Sequence, residues 1–246
     1  MNGFETVIYE KNGSIACVTL NRPQALNAFS VKMRDELFEI LSAIKLDDDV
    51  RAVIFKGAGE KAFCAGADLK EFLTAPSAVR ARHIRSVRDL WRLFTIMPQP
   101  LIAALHGYVL GSGVEIALYC DLRAATPDAV FGFPEVTLGI LPAAGGTQTL
   151  PRILGLSGAL DMLLTGRRLN AQEALGRGMV NQVVPRERLL QTTEAWAQKI
   201  ASCDPIVVRN AKRALIHGMD MTLDQGLDLE WRLATETKEI RKTSES

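Results

Sequence analysis

Three glycine-rich stretches in this 246-residue chain each stand just ahead of a helical segment: Ala65-Gly66-Ala67-Asp68, Gly111-Ser112-Gly113-Val114-Glu115 and Ala143-Ala144-Gly145-Gly146-Thr147. A helix start carries unpaired N–H groups and the positive end of the helix dipole, so such turns suit a phosphate or a developing oxyanion. The elements around them restrict the fold further. Residues 4–10 and 14–20 alternate across Asn12-Gly13, which predicts a hairpin. Ser30 is placed to cap a helix running to about residue 44, and residues 50–55 read as a short apolar strand ended by the glycines of 57–59. Asp68 and Glu71 have the spacing of a capping box, predicting a helix start after the first glycine turn. A loop over 73–78 and a helix over 79–96 follow, with Pro98 and Pro100 stopping the helix. Then come a buried strand at 101–105, a helix over 114–119, and brief strands at 123–125 and 130–133.

This recurring order of strand, strand, helix predicts a layered α/β core rather than a doubly wound sheet with one long helix per strand. From about residue 186 the pattern changes to three helical segments, roughly 186–202, 205–217 and 221–237, with no strand between them. The expected organisation is a core over 1–185, which carries the site, and a helical region over 186–246.

Charge and cysteine usage exclude several classes of function. Lys and Arg number 29 against 28 acids, so there is no bulk attraction to nucleic acid. The run Arg80, Arg82, His83, Arg85, Arg88, Arg92 reads as a solvated helix face rather than an RNA contact, because Asp89 interrupts it and no aromatic row accompanies it. The apolar runs are far shorter than the roughly 20 residues of a membrane span. With no targeting pattern at its N-terminus, the chain is expected to be cytoplasmic, with neither a membrane nor a nucleic acid as partner. Cys17, Cys64, Cys120 and Cys203 are dispersed and have no histidine at ligand spacing, so reduced thiols and no metal site are expected.

The dinucleotide fingerprint fails, since Ile116 stands where the third glycine belongs. Ser112 and Ser157 lack the setting of a hydrolase nucleophile, and His83, His106 and His217 show no catalytic spacing. Two acids stand out instead. Glu115 is one charge within Gly113-Val114-Glu115-Ile116-Ala117-Leu118, and Glu135 repeats the anomaly in Phe131-Gly132-Phe133-Pro134-Glu135-Val136. A buried carboxylate is costly unless paired, hydrogen-bonded or protonated. Two of them beside glycine turns suit acid–base chemistry, although a helix-start acid favoured by the dipole explains either one alone.

At these residues the chain resembles the enoyl-CoA hydratase/isomerase family, also called the crotonase family. The likeness is carried by Asn21-Arg22-Pro23-x-x-Leu26-Asn27-Ala28, Phe63-Cys64-Ala65-Gly66-Ala67-Asp68-Leu69, Gly107-x-x-x-Gly111-Ser112-Gly113-x-Glu115-x-Ala117, Phe131-Gly132-x-Pro134-Glu135-x-x-x-Gly139 and Pro142-x-x-Gly145-Gly146-Thr147-Gln148. The resemblance implies a spiral of β-β-α units with a C-terminal helical trimerisation region, and a homotrimer or a homohexamer built of two trimers. It implies an acyl-CoA thioester as the partner and no separate cofactor, coenzyme A being part of the substrate. The thioester oxygen would be held by the backbone N–H groups of Ala67 and Ser112, with Glu115 and Glu135 as the catalytic acids of hydration.

The remaining contacts to CoA and substrate would come from Ala25, Leu26, Ala28, Ala65, Gly66, Asp68, Leu69, Lys70 and Gly111, with Pro134, Leu138 and Ala143 bordering the acyl group. An isomerase, or a hydratase of a branched or aromatic-pathway acyl-CoA, is the alternative within the family, and the isomerase reading parts from hydration at Glu115. The sequence departs from the family pattern in three places. Ser112 and Ala143 stand where glycine is common, and the segment 235–246 lacks the usual basic ending.

Overall fold

The computed structural model describes residues 3–72 and 87–244. Its N-terminal hairpin, β1 (Val7–Asn12) and β2 (Ile15–Leu20), pairs antiparallel with Val7 opposite Leu20, so the turn falls at Asn12-Gly13 as the alternation predicts. β2 then pairs parallel with β3 (Ala52–Gly57), β3 with β5 (Leu101–Leu105), β5 with β7 (Leu122–Ala125), and β7 with β10 (Gln182–Val183), giving a six-stranded sheet. A second sheet of four short strands runs β4 (Ala62–Cys64), β6 (Tyr108–Leu110), β8 (Val130–Gly132), β9 (Arg168–Asn170).

Three long-sheet strands each hand over to a short-sheet strand and then to helical structure. β3 and β4 precede α2 (Leu69–Phe72), and β5 and β6 precede α4 (Ser112–Tyr119). β7 and β8 precede the 3₁₀ turn Pro134–Leu138 and α5 (Gly146–Thr165). This is the spiral of strand–strand–helix units that the sequence order implied. It brings all three glycine-rich turns to the ends of the short second-sheet strands.

Helix α1 (Val31–Leu46) begins as expected, its Ser30 hydroxyl accepting from the Met33 N–H. The capping box expected of Asp68 and Glu71 does not form. Asp68 instead accepts from Arg22 at 2.8 Å, and the Glu71 carboxylate takes the N–H of Val31 at 2.7 Å. Partners distant in sequence thus outcompete the local reciprocal pair. The expected loop at 73–78 and most of the helix over 79–96 lie outside the described residues. Among those described, the helix α3 (Leu90–Thr95) restarts at Asp89, whose side chain accepts from the Arg92 N–H. Arg80, Arg82, His83 and Arg85 also lie outside the described residues, while Arg88 is drawn to Asp35 at 3.3 Å and Glu39 at 3.6 Å.

The six-stranded sheet is covered on both faces. One face carries Val53, Phe55, Leu101, Ala103 and Leu105 into the main core with Leu37, Leu41, Ile44 and Phe94 of the flanking helices. The other presents Ala52, Ile54, Ile102, Ala104 and Ala124 to Leu189, Trp196 and Ala197 of α7 (Arg186–Ala201). Between the glycine turn at 145 and α7, α5 is broken at Gly155, and α6 (Ala171–Gly176) starts with a true capping box of Asn170 and Glu173. The last two helices, α8 (Pro205–Gly218) and α9 (Leu223–Ser244), pack mainly on each other. Cys64 and Cys120 are buried, Cys17 is half-buried and Cys203 is exposed, all as free thiols. No described helix is long and apolar enough to cross a membrane.

Candidate active site

The two anomalous glutamates meet on one cavity of about 340 Å³, where Ala67, Ser112, Glu115, Glu135, Ala143 and Ala144 share the lining with apolar side chains of α3 and the 140–142 segment. Glu115 sits in the first turn of α4 and is 1% exposed. It is not left uncompensated: its Oε1 accepts from the backbone N–H of Ala144 and of Gly146, each at 2.9 Å. The third glycine-rich turn therefore wraps the carboxylate of the second. Glycine is required at 146, because a Cβ there would lie 2.7 Å from the Phe133 ring and 3.1 Å from Glu115 Oε1. Burial pushes the Glu115 carboxyl up, while those two amides and the Ser112 hydroxyl work against the rise.

Glu135 enters from the 3₁₀ turn behind Pro134, a residue preset for a helical first position. It is 8% exposed, and its Oε2 has no hydrogen-bond partner among the described residues. Burial, and then the neighbouring charge of Glu115, push its carboxyl up to about 7. The two acids thus differ in kind: one is anchored by amides, the other is free-ended and holds a proton near neutrality.

Gly111 makes this arrangement possible. Its φ of +48° is a left-handed conformation that favours glycine, and a Cβ there would run into Glu135 Oε1. The same Cβ would lie 3.5 Å from Gly66 Cα, so the first and second glycine turns are in direct backbone contact. Around Gly66, the Phe29 N–H donates to Gly66 O at 2.8 Å and the Asp68 N–H to Phe29 O at 2.9 Å. In such a parallel bridge the intervening residue, Ala67, turns its own N–H to the other side. Ser112 opens α4, so its N–H lies ahead of the helical ladder. Among the described residues neither amide has a backbone acceptor. Two outward amides beside two buried carboxylates can hold a carbonyl oxygen while protons move at adjacent carbons.

The other residues expected to touch substrate occupy several places. Asp68 lines the cavity and is locked to Arg22, which also donates to Ala28 O. The Arg22 hydrogen bond holds the Asp68 carboxyl below its usual range, with burial opposing. Leu26 lines a separate cavity of about 360 Å³ with Asn27, Glu60 and Lys61, and its carbonyl accepts from the Ala65 N–H. Ala25 closes the short turn there through its N–H to Arg22 O. Ala65, Gly66 and Gly111 stand behind the lining, Leu69 and Lys70 are exposed on α2, and Pro134 is half-buried. Leu138 is 50% exposed and lies outside the lining of the carboxylate cavity.

Sequence reasoning missed the Ala144 and Gly146 amides as the anchors of Glu115, and the role of Asn27. Fully buried and left-handed, Asn27 ties Arg22, Ala58 and Ala62 together. A polar residue inside the Leu26-Asn27-Ala28 motif was the available signal. The Ser112 hydroxyl, which could have faced substrate, hydrogen-bonds Glu115 instead.

Comparison with known proteins agrees with this geometry. The sequence model of the enoyl-CoA hydratase/isomerase family matches residues 10–246. The chain is 41% identical to the short-chain-enoyl-CoA hydratase of Clostridium acetobutylicum over 91% of its own length and 86% of that protein's. It is 39% identical to the (E)-benzylidenesuccinyl-CoA hydratase of Thauera aromatica, over 96% and 93%. The crystal structure of an enoyl-CoA hydratase from Bacillus anthracis superposes with a TM-score of 0.88 at 41% identity, covering 94% of this chain and 90% of that one. By fold, by motif and by sequence, this chain belongs to the enoyl-CoA hydratase/isomerase family.

Proposed function

We propose that this chain is an enoyl-CoA hydratase, adding water across the double bond of a trans-2-enoyl-CoA to give the 3-hydroxyacyl-CoA. The observation that carries the reading is the unlike pair of buried carboxylates on one cavity, Glu115 anchored by two amides and Glu135 free-ended with its carboxyl near 7. An isomerase moves a proton between carbons and needs one such acid, whereas water addition gives work to both. In this reading the thioester oxygen sits on the Ala67 and Ser112 amides, which favour the enolate as negative charge builds there. Glu115 takes a proton from water as its oxygen bonds to C3, and Glu135 gives its proton to C2. The product gains one water, and a proton passing from Glu115 to Glu135 resets the pair.

The CoA portion is assigned to the segments 25–28 and 65–70, with Leu69 and Lys70 on the exposed start of α2. The assembly is proposed to be a trimer, or a hexamer of two trimers, through the helical region 186–246. In support, Leu215, Met219, Leu223 and Trp231 of α8, α9 and their connection are each more than 70% exposed. The test of the activity is incubation of the purified chain with crotonyl-CoA and product identification by mass. A product heavier by one water supports hydration. A shifted double bond at unchanged mass, from a 3-enoyl-CoA given in parallel, with no hydrated product, sinks it in favour of isomerisation.

A further inference from the structure

We infer that the indole of Trp91 is the wall against which the acyl chain lies, and that it makes this site selective for short enoyl groups; the inference rests on the acyl-CoA reading above. Trp91 lines the same cavity as Glu115 and Glu135. Its neighbours on α3, Leu90 and Phe94, are 0% and 2% exposed, whereas Trp91 is only half-buried, so what the ring leaves uncovered faces the cavity.

The ring is also fixed. It stacks on Tyr119 at 5.9 Å and on Phe94 at 6.0 Å, and meets Phe29 at 5.3 Å. Tyr119 and Phe94 stack on each other at 5.5 Å, and Phe94 meets Phe55 in the core, so the indole has no space into which to swing aside. Tyr119 in turn lies against Gly145, in the turn whose amides hold Glu115. Trp91 is therefore one side chain away from the loop that positions the catalytic carboxylate. A chain leaving C3 of the substrate meets this wall early.

The rest of the lining does not reward length. Arg34 and Arg88 bound the same cavity, and both are committed to Asp35, at 2.7 and 3.3 Å. A chain that outgrows the aromatic wall has these paired charges among its remaining neighbours. It gains little apolar burial there and disturbs their hydration. A flat, short enoyl group, by contrast, fits between the indole and the two oxyanion-hole amides.

The experiment compares crotonyl-CoA with a decenoyl-CoA on the wild type and on Trp91→Phe and Trp91→Ala. The decenoyl-to-crotonyl ratio of kcat/KM is expected to rise about tenfold or more in Trp91→Ala and to stay near wild type in Trp91→Phe, since pocket changes of methylene size are worth roughly 10–200-fold. An unchanged ratio in Trp91→Ala overturns the inference. If that variant fails to fold, Trp91→Leu gives the same reading with less volume lost.

A second arm needs no turnover. Butyryl-CoA, which has no double bond to hydrate, is titrated while tryptophan emission is followed and binding is measured by calorimetry. A change in emission that Trp91→Phe abolishes supports the contact, and binding without any change in wild-type emission overturns it. If the wild type hydrates neither thioester, the hydratase reading fails, while this second arm still decides the place of Trp91.

Discussion

Glu135→Gln is expected to make the folded chain more resistant to heat at alkaline pH while disabling it as a catalyst. Glu135 is 8% exposed, its Oε2 has no partner among the described residues, and burial followed by the Glu115 charge raises its carboxyl from an ordinary 4.5 to about 7. Between those two values the unfolded chain has lost this proton and the folded chain keeps it. The unfolded state therefore binds fewer protons, and stability falls as pH rises from the first value through the second. The gap between the two corresponds to about 3 kcal/mol of stability, present in acid and lost at alkaline pH. A glutamine carries no such dependence. Its own packing shifts the baseline by a constant amount, so the pH-dependent part isolates the ionisation.

For a chain of this size 1 kcal/mol moves the melting temperature by about 2–4 °C, so the variant's advantage over wild type should widen by roughly 6–12 °C between about pH 5 and about pH 8.5. Thermal unfolding of both proteins at one fixed concentration across that range is the assay. Parallel melting curves would refute the claim that Glu135 is held protonated by burial. A site that weakens its own fold at the pH where it works is the expected cost of preparing a proton donor.

Three further outcomes follow from the same structure. Gly111→Ala should lower hydration by at least about tenfold, because its φ of +48° and the carboxylate of Glu135 both oppose a Cβ, and a kcat near wild type would contradict that placement. Glu36 is buried, which alone would raise its carboxyl, but the N–H groups of Glu5, Thr6 and Val7 and the Thr6 hydroxyl outweigh burial and hold it below its usual value. Its contribution is therefore present above the ordinary carboxylate range and lost as pH falls through it. Glu36→Gln should cost about 1–3 kcal/mol in neutral urea unfolding, and that deficit should shrink in acid. The kcat/KM for hydration should fall on the alkaline side with an apparent pKa near 7 as Glu135 loses its proton, and a profile flat well above neutrality would assign the donor elsewhere.

What the sequence disclosed depended on the range of the interaction. The hairpin at Asn12-Gly13, the Ser30 cap and the strand Leu101–Leu105 each rest on local geometry, and each is found where the pattern puts it. Glu115 and Glu135 were visible as charges in apolar surroundings, because burial of an ion is unusual whatever its partner. Their partners were not visible: the Glu115 bonds to Ala144 and Gly146 span 29 and 31 residues, and no periodicity encodes them. The Asp68–Glu71 box failed for the same reason, since Arg22 and Val31, at 46 and 40 residues' separation, hold those carboxylates. The second sheet escaped in part because β4, β6 and β9 are three residues each, too short to show alternation. The aromatic wall on Trp91 also joins residues from Phe29 to Tyr119, which only the folded chain brings together.

The central claim, that two unlike carboxylates share the work of adding water, is tested most directly by the rate of crotonyl-CoA hydration in Glu115→Gln and Glu135→Gln, followed by loss of the enoyl-thioester absorbance. Each variant is expected to lose roughly 10²–10⁴ of the wild-type rate while still binding butyryl-CoA. Hydration by Glu115→Gln close to the wild-type rate would contradict the two-carboxylate account.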